Sequence, residues 1–249
     1  MMPAMEEVHV RPLIPATMLA LWEYGGRATQ PRRAVALLAA ASSAPVETLE
    51  RLPIGQRDAL LIEVRRRTFG NQLTGVETCR ACGVQLEFSV ALDRVLALTA
   101  SSAWRRDPEA LHFEAGGTRR SFRLPTTADV ETALTRPGDR ESALVESCLD
   151  DRSGVSPELI AAFNAACAEA DPLADFRLVL ACNSCGHEMR VAFDAAAVLW
   201  NECAEVAGRL LEDVHRIASA YHWPEDMILA LPARRRQFYL SRIAQGGLR

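Results

Sequence analysis

Between Pro15 and Gly70 apolar residues recur at roughly helical spacing, and proline and glycine cut the pattern into short pieces. Pro15 opens "ATMLALWEY", which Gly25-Gly26 closes, and Pro31 opens "RRAVALLAAAS". In "LPIGQRDALLIEVRRRTFG", Leu60, Leu61, Val64 and Phe69 fall close to helical spacing and Gly70 supplies a stop. The period then shortens. Val76, Leu86, Phe88 and Val90 alternate with polar residues, and "ALHFEAGGTRRSFRLP" alternates on both sides of Gly116-Gly117, a pair suited to a tight hairpin turn. Helical patterning returns after Pro125, where Thr126 or Thr127 can cap a helix carrying Asp129 and Glu131 in its first turn. Ser156-Pro157-Glu158 starts another helix, "PELIAAFNAACAEA", which Asp171-Pro172 ends. "FRLVLAC" and "MRVAF" read as strands. From Asp194 a long helix follows, with Leu199, Cys203, Val206, Leu210, Val214, Ile217 and Tyr221 along one face, and Pro224 and Pro232 open two shorter helices.

The resulting class is α+β. An N-terminal helical segment covers residues 1–70, a β core with a hairpin and a helical insertion covers 71–195, and a C-terminal helical region covers 196–249. A chain of 249 residues, 49% of them hydrophobic, can bury a sizeable core. The 28 basic residues are all arginine and face 32 acidic ones, for a net charge of −4. With no basic excess and no lysine, the runs Arg65-Arg66-Arg67 and Arg234-Arg235-Arg236 are weak signals for nucleic acid, and no nucleic-acid partner is expected. "MMPAMEEVHVRPLIPATM" has acids and prolines where a signal peptide needs a basic start and an apolar run, and no apolar stretch is long enough to span a bilayer. Synthesis in the cytoplasm is expected, without membrane insertion. There, closely spaced cysteines read as metal or redox sites rather than as a disulfide framework.

Those cysteines come as a repeated phrase, "CRACG" from Cys79 and "CNSCG" from Cys182, each between two strand-like stretches. A four-cysteine zinc site needs four thiolates about 2.3 Å from the metal. A Cys-x-x-Cys turn supplies two of them, and the following glycine lets the backbone turn tightly under the sulfurs. Two such knuckles make a zinc-ribbon-like core, with Cys79, Cys82, Cys182 and Cys185 as structural Zn²⁺ ligands. The insertion of nearly a hundred residues between them is no obstacle, and closing so long a loop stabilises the fold. A closed four-thiolate shell has no open position for substrate, which argues against metal catalysis.

Two other readings stay open: a thiol-disulfide pair, which normally sits at a helix N-terminus and here does not, and reduced cysteines that bind nothing. His187 is expected outside the ligand set. Cys148, Cys167 and Cys203 lie on hydrophobic helix faces and read as core. Asp150-Asp151 reads as a solvated turn, and His215 as packed beside the long apolar stripe. There is no phosphate-binding glycine loop, no His-Glu-x-x-His and no nucleophile elbow, so no catalytic residues and no further cofactor are assigned. Trp223, Phe238 and Tyr239 beside Arg234–Arg236 read either as packing or as an interaction surface, where aromatics and arginine are enriched.

The order of "LPIGQRDALLIEVRRRTFG", the first "CRACG", "RLPTTADV", "DPLADFRLVLACNSCGHEMRVAFD" and "LWNECAEVAGRLLEDVHRIASAYHWPEDMILALPARRRQFYL" resembles a family of phage-type baseplate proteins. That family is related to a hub component of T-even-type phage tails and is found in gene clusters for extracellular contractile injection systems. The resemblance spans roughly residues 50–245. It implies a non-catalytic structural or assembly role in the baseplate of a phage-tail-like particle, with other baseplate or hub proteins as partners. A zinc-ribbon nucleic-acid-binding module and a thiol-disulfide protein are the alternatives from other classes.

Overall fold

The fold was described from a computed structural model covering residues 8–26, 28–105, 111–151 and 154–246. The helices α1 (Pro15–Gly25), α2 (Gln30–Ala41), α3 (Val46–Glu50) and α4 (Ile54–Phe69) come first. A hairpin of β1 (Gln72–Thr78) and β2 (Gln85–Ala91) follows, then α5 (Leu92–Ala97) and two short 3-10 turns. Next come the hairpin of β3 (Leu111–Ala115) and β4 (Thr118–Phe122), then α6 (Thr127–Thr135), α7 (Arg140–Cys148) and α8 (Pro157–Ala170). The third hairpin, β5 (Arg177–Ala181) with β6 (Glu188–Ala192), leads into α9 (Ala195–Tyr221), α10 (Glu225–Leu229) and α11 (Ala233–Ala244). The class is α+β, with three separate two-stranded antiparallel sheets among the described residues.

Two compact units divide the chain, one of residues up to Pro12 with Thr29–Leu199, the other of Leu13–Ala28 with Trp200 onward. In the first, α4 leaves for β1 through Gly70, whose φ of 96° suits a residue without Cβ. The buried Arg65 guanidinium donates to the carbonyls of Gly70 and Gln72 at 2.8 and 2.7 Å, fixing the exit angle of the strand. Arg66 and Arg67 both pair with Glu63, one helical turn earlier. The first arginine run is therefore engaged within the chain, Arg67 also donating to the carbonyl of Val10.

The insertion carries its own core. Phe113, Phe122 and Phe163 meet edge to face at centroid distances of 5.5–6.1 Å, with Val145, Cys148, Leu149 and Leu159 packed around them. Gly116 and Gly117, both at positive φ, close β3 onto β4 in a two-residue turn with Ala115 opposite Thr118. Thr126 and Asp129 form the capping box of α6, and Ser156 caps α8 through the amide of Leu159. Asp139 caps α7, a helix the sequence pattern did not reveal.

Asp171 does more than end α8. It is 1% exposed, and its carboxylate accepts the Gly55 amide at 2.8 Å and the Trp104 indole N–H at 3.1 Å. It thus caps the N-terminus of α4 from more than a hundred residues away in sequence. A side chain at position 55 would place Cβ 1.8 Å from Asp171 Oδ1, so the contact requires glycine. Burial raises the pKa of Asp171 against the opposing pull of those two donors.

In the second unit Leu19 of α1 packs with Ala207 and Leu210 of α9, and Gly25 lies so close to the Trp200 ring that no Cβ would fit. Val214, Ile217, Ile228 and Leu240 join α9, α10 and α11 in another cluster. The predicted stripe of α9 is recovered in the buried Leu199, Cys203, Leu210, Val214 and Ile217, whereas His215 lies exposed on the opposite side. No helix among the described residues is long and apolar enough to cross a membrane.

Candidate metal centre

Strand β1 runs into Cys79 and β2 runs out of the turn that follows it; β5 and β6 do the same around Cys182. The backbone closes each turn in the same way. The Cys79 amide donates to the Val84 carbonyl at 2.8 Å and the Gly83 amide to the Cys79 carbonyl at 2.8 Å. In the other turn the Cys182 amide donates to the His187 carbonyl at 2.9 Å and the Gly186 amide to the Cys182 carbonyl at 2.8 Å. Gly83 and Gly186 sit at φ 75° and 72°, a region glycine occupies without strain.

The two turns meet. Cys79 Sγ lies 3.7 Å from Cys185 Sγ, Cys82 Sγ lies 3.6 Å from Cys182 Sγ, and all four sulfurs fall within 4.8 Å of one another. Four thiolates on a tetrahedral metal at 2.3 Å would stand about 3.8 Å apart, whereas a disulfide would need about 2.05 Å. All seven cysteines are free thiols here. Cys79 and Cys182 are buried, in one cluster with Leu86 and Met189, and Cys82 and Cys185 are exposed. The group is thus a possible metal site, anchored on its inner side and open on its outer side.

Its electrostatics differ from those of the remaining thiols. The backbone amides of Cys185 and Ser184 pull the Cys182 thiol down to about 7, with the neighbouring Cys82 and Cys185 sulfurs adding to the effect. The His187 amide favours the Cys185 thiolate as well, but the crowding sulfurs of Cys82, Cys182 and Cys79 override it and push Cys185 up to about 12. The crowded sulfurs thus act on one another's ionisation. By contrast, burial is the main cause that raises Cys148 to about 11 and Cys167 and Cys203 to about 12, with nearby acidic groups adding to it. Cys148 and Cys203 are buried and Cys167 is half-buried, so these three serve packing.

His187 is exposed and contributes its backbone rather than its ring. Asp150 and Asp151 are exposed, with Asp151 paired to Arg120 at 2.6 Å. A feature the sequence did not signal is Asp58, held in α4 beside Arg57 at 2.7 Å. Burial raises its pKa to about 6 against the opposing pull of Arg57. Its neighbour in sequence gave no hint of burial, because an Arg-Asp pair inside a helix usually faces water.

Comparisons with curated proteins and with solved structures gave no match. Residues 32–151 match the family described as T4 bacteriophage base plate protein. The matched stretch contains Cys79 and Cys82, begins earlier than the resemblance read from the sequence, and ends before Cys182. By that match residues 32–151, just under half of the chain, are similar to a phage baseplate protein family.

Proposed function

We propose that this chain is a structural or assembly component of the baseplate of a phage-tail-like contractile injection system, assembling with other baseplate or hub proteins. In this reading it is not an enzyme. Cys79, Cys82, Cys182 and Cys185 hold one structural Zn²⁺ in a zinc-ribbon-like arrangement, fastening the first hairpin to the one that feeds α9.

The observation that carries the clasp is the meeting of two knuckles at S···S distances of 3.6 and 3.7 Å, close to the edge of a four-thiolate tetrahedron. The donor set is soft and fully thiolate, which suits zinc over the hard cations. The family match supports the baseplate role. Of the alternatives, a thiol-disulfide protein would place its low-pKa cysteine at a helix N-terminus, whereas both turns here join strands. A nucleic-acid module would keep its arginines for phosphate, whereas Arg65, Arg66 and Arg67 bond within the chain.

Two measurements test the reading separately. Metal analysis of the purified chain should find about one zinc per chain. Isolation of the particle from producing cells, followed by mass spectrometry, should find the chain in the finished baseplate or in its assembly intermediates. Absence from both would end the baseplate reading and leave the metal site standing.

A further inference from the structure

The second arginine run is deployed unlike the first. Arg236 is buried and donates to the Leu231 carbonyl at 2.6 Å, with Asp213 at 3.9 Å. Arg234 and Arg235 are exposed, and among the described residues no carboxylate pairs with them or with Arg242, which reaches only the Gln245 amide oxygen. Helix α11 contains four arginines and no acid, in a chain whose net charge is −4. Its first turn therefore adds positive side chains to the positive end of the helix dipole, and of these only Arg236 has a carboxylate close by among the described residues.

An aromatic ring stands among these charges. Phe238 is 60% exposed and, at three and four residues from Arg235, Arg234 and Arg242, shares their face of the helix. It is not a loose side chain. Tyr239 meets it edge to face at 5.6 Å and is itself held by Trp223 at 4.9 Å and Tyr221 at 5.4 Å. The aromatic group named from the sequence thus divides: Tyr221, Trp223 and Tyr239 pack, and Phe238 is presented outward from them.

We infer that the outer face of α11, with Phe238 at its centre and Arg234, Arg235 and Arg242 around it, is a docking surface for an acidic patch with an apolar socket on a neighbouring baseplate protein. Charge complementarity selects the occupant. Unpaired arginines ask for carboxylates, and a rigidly backed ring asks for a pocket, the combination found at the centre of protein interfaces. A nucleic-acid strand would satisfy the charges but would leave a single backed ring with no stacking partners in series, where strand-binding surfaces use several. The inference rests on the baseplate reading for the identity of the neighbour.

The test uses the full chain in cells producing the particle, with Phe238→p-benzoylphenylalanine as a photo-crosslinker and the linked peptide sequenced. A cross-link to a protein segment containing Asp or Glu is expected. It should fall about tenfold in a chain also carrying Arg235→Glu and Arg242→Glu, while metal content and far-UV spectrum stay those of the parent. Phe238→Ala alone should lower co-purification with the linked protein, a readout independent of the photochemistry. Cross-linking to nucleic acid, to a segment without acids, or undiminished by charge reversal would overturn the inference. So would a chain present in the particle or its intermediates that gives no link from position 238. A parent chain absent from both overturns the baseplate reading instead.

Discussion

The turn of the first knuckle is Arg80-Ala81 and that of the second is Asn183-Ser184, and the backbone treats them alike. Cys79 and Cys182 are buried, Cys82 and Cys185 exposed, Gly83 and Gly186 positive in φ, and Leu86 and Met189 take corresponding places in one small core. Val76 and Val179 correspond as well, 57% and 62% exposed on the outer faces of their hairpins. The hairpins diverge where they end. β2 runs into the six residues of α5, β6 into the 27 of α9, and the first hairpin lies inside the family match while the second lies outside it. The likeness shows what the four sulfurs demand of a backbone, and the divergence shows how little they demand beyond it.

If the likeness reflects a shared metal, its removal should be the largest perturbation available. A strong chelator, or Ser in place of either Cys79 or Cys182, should lower stability by several kcal/mol and release the metal, read by denaturant unfolding alongside metal analysis. In metal-free protein inner and outer positions should separate. Cys79→Ser and Cys182→Ser should still cost about 1–3 kcal/mol, because each buries a hydroxyl, while Cys82→Ser and Cys185→Ser should stay within about 0.5 kcal/mol of the parent. An equal cost at all four positions without metal would break the inner-outer distinction.

Acid should set the hairpins against the helical part of the same unit. Metal binding requires thiolates, so lowering the pH releases the ion and weakens the clasp. Asp58 acts in the opposite direction. Its pKa is raised in the folded state to about 6 from the ordinary aspartate value of 3.8, so the native state binds the proton more readily. Its burial cost, on the order of 2–3 kcal/mol, is present in full above the folded pKa and is relieved as pH falls from about 6 toward 4. In metal-free protein, Asp58→Asn should therefore remove a gain in stability on mild acidification that the parent shows. A smaller effect should treat both turns equally: Gly83→Ala and Gly186→Ala each force a Cβ into a positive-φ position, for about 1 kcal/mol apiece. A clear inequality would mean that one turn carries more of the site.

Local rules made much of this legible. Pro15, Gly70, the Gly116-Gly117 turn, the Thr126 cap and the Ser156 start all mark boundaries that the fold keeps, because each acts through its own backbone or its nearest amides. The meeting of the four cysteines was legible for a different reason, since a repeated Cys-x-x-Cys-Gly phrase survives in the sequence even when its halves lie a hundred residues apart. What stayed hidden depends on partners brought together by folding. Asp171 read as a helix stop and serves as a remote cap for α4; Asp58 drew no reading from the sequence and is buried; His215 read as packed and faces out. The two arginine runs are alike as strings, and only their neighbours reveal that one is bonded internally and the other presents two free charges.

The central claim is that one zinc ion is shared by both hairpins. Native mass spectrometry of the full chain, with Cys82→Ser, Cys185→Ser and the parent compared, tests it most directly. The parent should carry a single zinc ion, and loss of an outer thiolate from either hairpin should weaken retention to the same extent. Retention in one variant at the parent's level, or two ions in the parent, would show hairpins that bind separately and would contradict the shared clasp.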